Sequence, residues 1–244
     1  MMKFKALLFD INGTVCDILT SEDDENLYRV TANYLWYRGV KILPGELKKR
    51  YLELNRQQRK ESPETYPEFD VVKIFQVLIE QYRGSVRASH TLAVAAATLF
   101  RAASLFRLEL YEGVNEVLSV MKKYYRLGAV SDGQSLWAAP EMKMTGLNRF
   151  FEFSVVSGDY GFRKPDSRMF ELALTRLRLD KSEVIYVGND MYRDIWGACN
   201  AGLKTVFFKS NQGEQAFAGA DPDYIIYNFN ELPQAVEFLE NKGT

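Results

Sequence analysis

Cysteine, histidine and long apolar runs are what this chain has least of. Its 244 residues include two cysteines, Cys16 and Cys199, and one histidine, His90. The cysteines lie far apart and form no paired framework, which excludes a disulfide-built scaffold and fits a reducing compartment. A lone histidine excludes a multi-histidine metal centre and leaves a single candidate for any His-based triad. No apolar run approaches the roughly 20 residues needed to span a bilayer. The opening Met1-Met2-Lys3-Phe4-Lys5-Ala6-Leu7-Leu8-Phe9-Asp10 meets an acidic residue too soon for a signal peptide. Charge of one sign is lacking too: 31 Lys+Arg face 32 Asp+Glu, a net charge of −1. That gives no electrostatic reason to bind nucleic acid or an anionic membrane. Hydrophobic residues at 47% and charged residues at 26% are those of a globular chain and exclude disorder, collagen and coiled coil. A cytoplasmic protein of one or two domains is expected.

Short apolar runs recur at Ala6 to Phe9, Leu127 to Val130, Phe153 to Val156, Val184 to Val187, Thr205 to Phe208 and Tyr224 to Ile226. They show little polar alternation, as strands buried on both faces of a parallel sheet do. Helical patterns lie between them. Val114 to Tyr124 places Val114, Val117, Leu118 and Met121 on one face. Ser167 to Leu177 aligns Phe170, Ala173, Leu174 and Leu177, and a last helix starting near Pro233 buries Val236 and Leu239. The alternation predicts a doubly wound, Rossmann-like α/β core. Residues 17–110 interrupt it. Ser21-Glu22-Asp23-Asp24 resembles a capping box, followed by Leu27, Val30, Tyr34 and Leu35 at helical spacing and a stop at Gly39. Pro44-Gly45 opens a second helix through Leu47, Tyr51 and Leu54. Val71, Val72, Phe75, Leu78, Ile79 and Tyr82 define a third, after a loop containing Pro63 and Pro67. Thr91 to Phe106, rich in alanine, is the fourth. The expected division is a core of residues 1–16 and 111–244 with a helical subdomain of residues 17–110 inserted.

An open parallel sheet builds its site beyond the carboxyl ends of its strands. There the chain places Asp10-Ile11-Asn12-Gly13-Thr14, Ser131-Asp132-Gly133, Lys164-Pro165, and Gly188-Asn189-Asp190 with Asp194 a turn further on. A carboxylate nucleophile, a hydroxyl and backbone amides for a phosphate, a lysine to offset charge and acids for Mg²⁺ suit phosphoryl transfer. Asp10 and Asp194 also read as helix caps, Ser131 as a turn residue and Lys164 as a solvated lysine. His90 reads as a surface or capping residue and Glu22 to Glu25 as a favourable first helical turn. Arg56, Arg59 and Lys60 read as a solvated face, with one of them reaching toward an anionic group as the alternative. Tyr34, Trp36 and Tyr37 read as packing, and nothing near Cys16 activates its thiol.

These segments resemble the haloacid dehalogenase-like hydrolase superfamily, in the form with a helical cap inserted after the first motif. The segments that match are Leu7 to Thr14, Val130 to Gly133, Gly161 to Asp166 and Tyr186 to Asp190 through Ala198. The resemblance implies that Asp10 is the nucleophile forming an aspartyl intermediate. Asn12, Ser131 and Lys164 complete the catalytic set. Ile11, Thr14, Ser131, Asp132 and Lys164 bind the phosphate, and Mg²⁺ is held by Asp10, the main-chain carbonyl of Asn12, Asp190 and Asp194. Gly13 fits a turn that a side chain would obstruct.

Two positions depart from the pattern. Phosphatases of this superfamily usually carry Asp where this chain has Asn12, and an amide cannot shuttle a proton. Such acid–base help is worth roughly 10²–10⁴-fold in rate. Asn189 stands where the fourth motif often has its first Asp. The implied function is a Mg²⁺-dependent phosphatase of small phosphorylated metabolites, slowed by Asn12. The alternatives are a 2-haloacid dehalogenase and a phosphometabolite-binding protein that has lost turnover. A small phosphorylated molecule is the expected partner, with neither nucleic acid nor membrane.

Overall fold

Leu7 and Phe9 point to one side of the first strand while Ala6 and Leu8 point to the other, and all four are buried, so this strand must be covered on both faces. The computed structural model, which describes residues 3–83 and 89–242, places it near the middle of a six-stranded sheet. The strands are β1 (Ala6–Phe9), β4 (Arg126–Ser131), β5 (Ser154–Val156), β6 (Val184–Gly188), β7 (Lys204–Phe208) and β8 (Tyr224–Ile226), in the order β5-β4-β1-β6-β7-β8 and all parallel. Leu7 and Phe9 pack with Leu127, Ala129, Ile185 and Val187 under α5 (Val114–Met121) and α9 (Leu232–Asn241). Ala6 and Leu8 pack with Val130, Val155 and Tyr186 under α7 (Ser167–Leu177). All six expected strands are present, and the sheet is doubly wound. From β1 the chain builds outward through β4 and β5, then returns to the other side of β1 with β6. That reversal opens a crevice at the carboxyl ends of β1, β4 and β6.

Within the insert the described residues form four helices: α1 (Glu25–Tyr37), α2 (Pro44–Glu61), α3 (Val71–Arg83) and α4 (Ser89–Ser104). They bury a separate apolar cluster around Leu27, Leu35, Tyr51, Phe75 and Phe100. Trp137, from α6 (Ser135–Met144) of the sheet layer, plugs into that cluster and donates from Nε1 to the Ala97 carbonyl at 3.0 Å.

Several local expectations are corrected. The α1 cap is Asp24, which accepts from the Asn26 N–H at 2.9 Å, and its buried face is Leu27, Tyr28, Thr31, Ala32 and Leu35. Val30 and Tyr34 flank that face, while Trp36 and Tyr37 stand exposed instead of packed. The fourth helix ends at Ser104 instead of Phe106, because Leu105 begins a strand. That strand, β3 (Leu105–Leu110), pairs antiparallel with β2 (Cys16–Thr20) in a two-stranded ribbon; the expected boundary at 16/17 falls inside β2, and the one at 110/111 falls at the end of β3. The chain therefore enters and leaves the helical insert side by side. No helix among the described residues is long and apolar enough to cross a membrane.

Candidate active site

Asp10 leaves β1 with its N–H donating to the Val187 carbonyl at 3.0 Å, which fixes its side chain over the crevice between β1 and β6. The next residues coil tightly, with Val15 and Cys16 N–H groups both donating to the Ile11 carbonyl. Gly13 sits at φ +89°, and a Cβ there would lie 2.3 Å from the Asn189 side chain, so both conformation and space require glycine. The coil brings Thr14 under Asp10. Its buried hydroxyl lies 3.1 Å from Asp10 Oδ2 and 2.9 Å from Asn189 Oδ1.

Lys164 enters from the far side of β4. Its side chain is 2% exposed, and its ammonium stands 2.6 Å from both Asp10 Oδ1 and Asp194 Oδ1. The Val130 carbonyl and the Tyr186 hydroxyl each lie 3.2 Å away. Asp194 also accepts the Tyr186 hydroxyl at 2.9 Å through Oδ1, and the Asn189 and Asp190 N–H groups at 3.1 Å through Oδ2. Burial pushes the Asp10 carboxyl up to about 6, against the pull of Lys164. For Lys164 burial opposes the charge, yet Asp10 and Asp194 hold the ammonium well above the ordinary lysine range. Asp132 Oδ1 accepts the Lys164 N–H at 3.0 Å, and burial raises this carboxyl despite Lys164 and Arg193 nearby.

Of the residues picked out from sequence, Asp10, Thr14, Lys164 and Asp194 form one hydrogen-bonded cluster, with Asp132 bonded to the Lys164 main chain. Ser131, the last residue of β4, is buried, and its hydroxyl makes only a 3.4 Å contact with the Asp132 carbonyl. The Ile11 side chain belongs to the core under α5 and α9. The Asn12 Oδ1 atom is buried with no hydrogen-bond partner. Asp190, expected to serve a cation, is committed elsewhere. Its Oδ1 caps the turn after β6 by accepting from the Tyr192 and Arg193 N–H groups, and its Oδ2 accepts from the Arg193 guanidinium and the Glu214 N–H. Burial works against its charge, but these donors hold the Asp190 carboxyl below the usual range. Asp194 likewise accepts two donors on each carboxylate oxygen.

Beside these two acids, Asp10 and Asn12 offer further oxygens, all hard donors. Mg²⁺ commonly takes one or two carboxylates and fills its shell with water and phosphate, so these residues fit it. Among the described residues no three His, Cys, Asp or Glu side chains are grouped to hold a metal.

Tyr186 and Arg193 are contributors that the sequence reading missed. Arg193 ties Asp190 to the catalytic loop through a 3.7 Å approach to Asp132 Oδ2. Tyr186 carried a signal: it is the one polar side chain in the apolar run of β6, and a buried hydroxyl must find a partner. His90 is exposed and contacts Gln76, away from this cluster. Of the basic trio, Arg56 and Lys60 are solvated, while Arg59 turns inward to Asn55 and Glu68. Cys16 is buried, which pushes its thiol up to about 12.

The family described as haloacid dehalogenase-like hydrolase matches residues 7–208. A pyrophosphatase, PpaX of Bacillus velezensis, is 30% identical over 93% of this chain and 94% of its own. A glyceraldehyde 3-phosphate phosphatase of Pyrococcus furiosus is 34% identical, over 52% of each chain. The crystal structure of 2-haloacid dehalogenase from Pseudomonas syringae superposes with a TM-score of 0.75 at 21% identity, covering 96% of this chain and 99% of that one. At that identity the likeness is one of fold alone.

Proposed function

The chain belongs to the haloacid dehalogenase-like hydrolases, and from that premise we propose that it is a slow, Mg²⁺-dependent phosphatase of small phosphorylated metabolites. The observation that carries this reading is the buried Lys164 ammonium bridging Asp10 and Asp194 at 2.6 Å each, at the rim where the sheet reverses. A fixed cation beside a carboxylate, with hydroxyl and amide donors close by, is the arrangement that phosphoryl transfer needs. Relatives named as a pyrophosphatase and as glyceraldehyde 3-phosphate phosphatases support a small phosphorylated substrate.

In this mechanism an Asp10 oxygen attacks phosphorus while Thr14 and Lys164 steady the carboxylate. The bond from phosphorus to the leaving oxygen breaks, and an aspartyl phosphate forms. The Asn12 amide can donate a hydrogen bond but cannot transfer a proton, so an alkoxide leaving group must take one from water. Water then cleaves the aspartyl phosphate without a base at position 12, which slows the second half as well. Mg²⁺, held by Asp10 and the Asn12 carbonyl, would supply Lewis-acid stabilisation of phosphate charge.

The test compares the native chain, Asn12→Asp and Asp10→Asn on an aryl and an alkyl phosphate, with Mg²⁺ and with EDTA. Asp10→Asn should abolish phosphate release. Asn12→Asp should raise alkyl turnover by up to about 10²–10⁴-fold, and aryl turnover much less. Activity surviving Asp10→Asn removes the nucleophile. Chloride released from a short 2-chloroacid in EDTA would assign displacement at carbon instead. Tight phosphate binding without release in any variant would assign a binding protein.

A further inference from the structure

The helical insert touches both catalytic loops through one segment, residues 66–71. On one side it pairs like a strand with the residues leading into Lys164. The Arg163 N–H donates to the Tyr66 carbonyl and the Glu68 N–H to the Gly161 carbonyl, both at 2.9 Å, with Pro67 bridged antiparallel to Phe162. On the other side Gln134, just after the Ser131-Asp132-Gly133 loop, donates to the Phe69 carbonyl at 2.6 Å and accepts the Val71 N–H at 3.2 Å.

Glu68 lies between these two sets of contacts, its side chain 4% exposed. Oε1 accepts its neighbour's Phe69 N–H at 3.0 Å and lies 3.4 Å from Arg59. Oε2 accepts the Ser157 hydroxyl at 2.8 Å, and the same Ser157 oxygen accepts the Gly133 N–H at 2.8 Å. The Gly133 carbonyl is held in turn by the Gly158 N–H at 2.8 Å. A hydroxyl has a single proton. Donated to Glu68, it leaves a lone pair aimed at Gly133. Without Glu68 the proton's nearest acceptor is the Gly133 carbonyl at 3.2 Å, and the direction of the hold is lost.

We propose that Glu68 is a positioning residue for the reaction: through the Ser157 hydroxyl it fixes the Gly133 peptide, and with it Ser131 and Asp132. This rests on the reading of Ser131 and Asp132 as the phosphate-binding loop. Because Asp132 also accepts the Lys164 N–H, a shift of the loop reaches Lys164. The inserted helices thus set catalytic geometry as well as covering the site.

The experiment makes Glu68→Ala, Glu68→Gln and Ser157→Ala in the full chain, and Glu64→Ala to break the Arg168–Glu64 contact elsewhere on the same seam. Kinetics on an aryl phosphate with Mg²⁺ is read beside hydrogen exchange of a peptide spanning residues 131–134. Glu68→Ala should speed Gly133 exchange and lower kcat by roughly tenfold to a hundredfold, the scale of an ångström-level misplacement, with KM nearly unchanged. Glu68→Gln keeps an acceptor oxygen and should restore both readouts. Ser157→Ala should reproduce the loss, and the double variant should add nothing further. Glu64→Ala should leave both readouts native. Unchanged exchange in Glu68→Ala and Ser157→Ala overturns the proposal, as does an equal effect of Glu64→Ala, which would mean general loosening of the seam. If no variant nor the native chain releases phosphate, the functional reading fails, while exchange at Gly133 still decides whether Glu68 holds the loop.

Discussion

Lys164 is one positive charge between two carboxylates, and each of the three is expensive to bury alone. Removing one member of such a group typically costs about 3–5 kcal/mol, because the remaining charges lose their partner. Asp10 feels the opposing terms directly: burial lifts its carboxyl from 3.8 to about 6, and Lys164 pulls it back. Between those values folded Asp10 keeps a proton that the unfolded chain has released. Its contribution to stability is therefore complete below pH 3.8 and is lost as the pH rises through about 6. Activity runs the opposite way, since only the carboxylate attacks. We expect kcat/KM on an aryl phosphate to fall about tenfold per pH unit below this value, and the acid limb to move lower as Mg²⁺ is raised. A flat profile from roughly pH 5 to 8 would remove Asp10 from the rate equation. At this scale Asp10, Thr14, Lys164 and Asp194 were legible in the sequence because each follows a strand end. Asp190 was expected beside a cation, but adjacency to a strand end does not say which way a carboxylate turns. Here the Tyr192, Arg193 and Glu214 N–H groups and two donors of the Arg193 guanidinium decided that direction.

Among the elements, β4 is packed most tightly where it crosses β1. A Cβ on Gly128 would stand 2.6 Å from Phe153 Cζ and 2.9 Å from Leu8 Cδ2, with buried side chains on the β1 side. Gly128→Ala should therefore overpack the sheet by about 1–3 kcal/mol. For a chain of this length that is a Tm lower by roughly 2–12 °C, measured by calorimetry; an unchanged Tm would show that Phe153 can swing aside freely. The strands of the main sheet were readable as uninterrupted apolar runs. The β2–β3 ribbon was not. Leu105–Leu110 follows an alanine-rich helical stretch without a break, and Cys16 is the only fully buried residue of the two ribbon strands. Its partner Cys16–Thr20 lies some 90 residues upstream, so no local pattern marks the pair.

For the molecule as a whole, a cation bound only in the folded state would link the site to global stability. At one hundred times its dissociation constant Mg²⁺ should add about 2.7 kcal/mol, or roughly 5–11 °C in Tm for a chain of this length. EDTA should reverse the shift, and Asp10→Asn should abolish it; an equal shift in that variant would place the cation elsewhere. The helical insert is joined to the sheet layer by Trp137 and by residues 66–71, so its docking belongs to the same accounting. The alternation of apolar runs and helical patterns determined a doubly wound sheet, because strand burial and helix periodicity are local consequences of side-chain spacing. It equally placed the polar residues of the candidate site after the strand ends. Which donors Asp190 and Asp194 satisfy, the orphaned Asn12 oxygen and the Glu68–Ser157–Gly133 connection were decided only in three dimensions. Each of these depends on hydrogen-bond directions between segments distant in the chain, and linear order carries no record of direction.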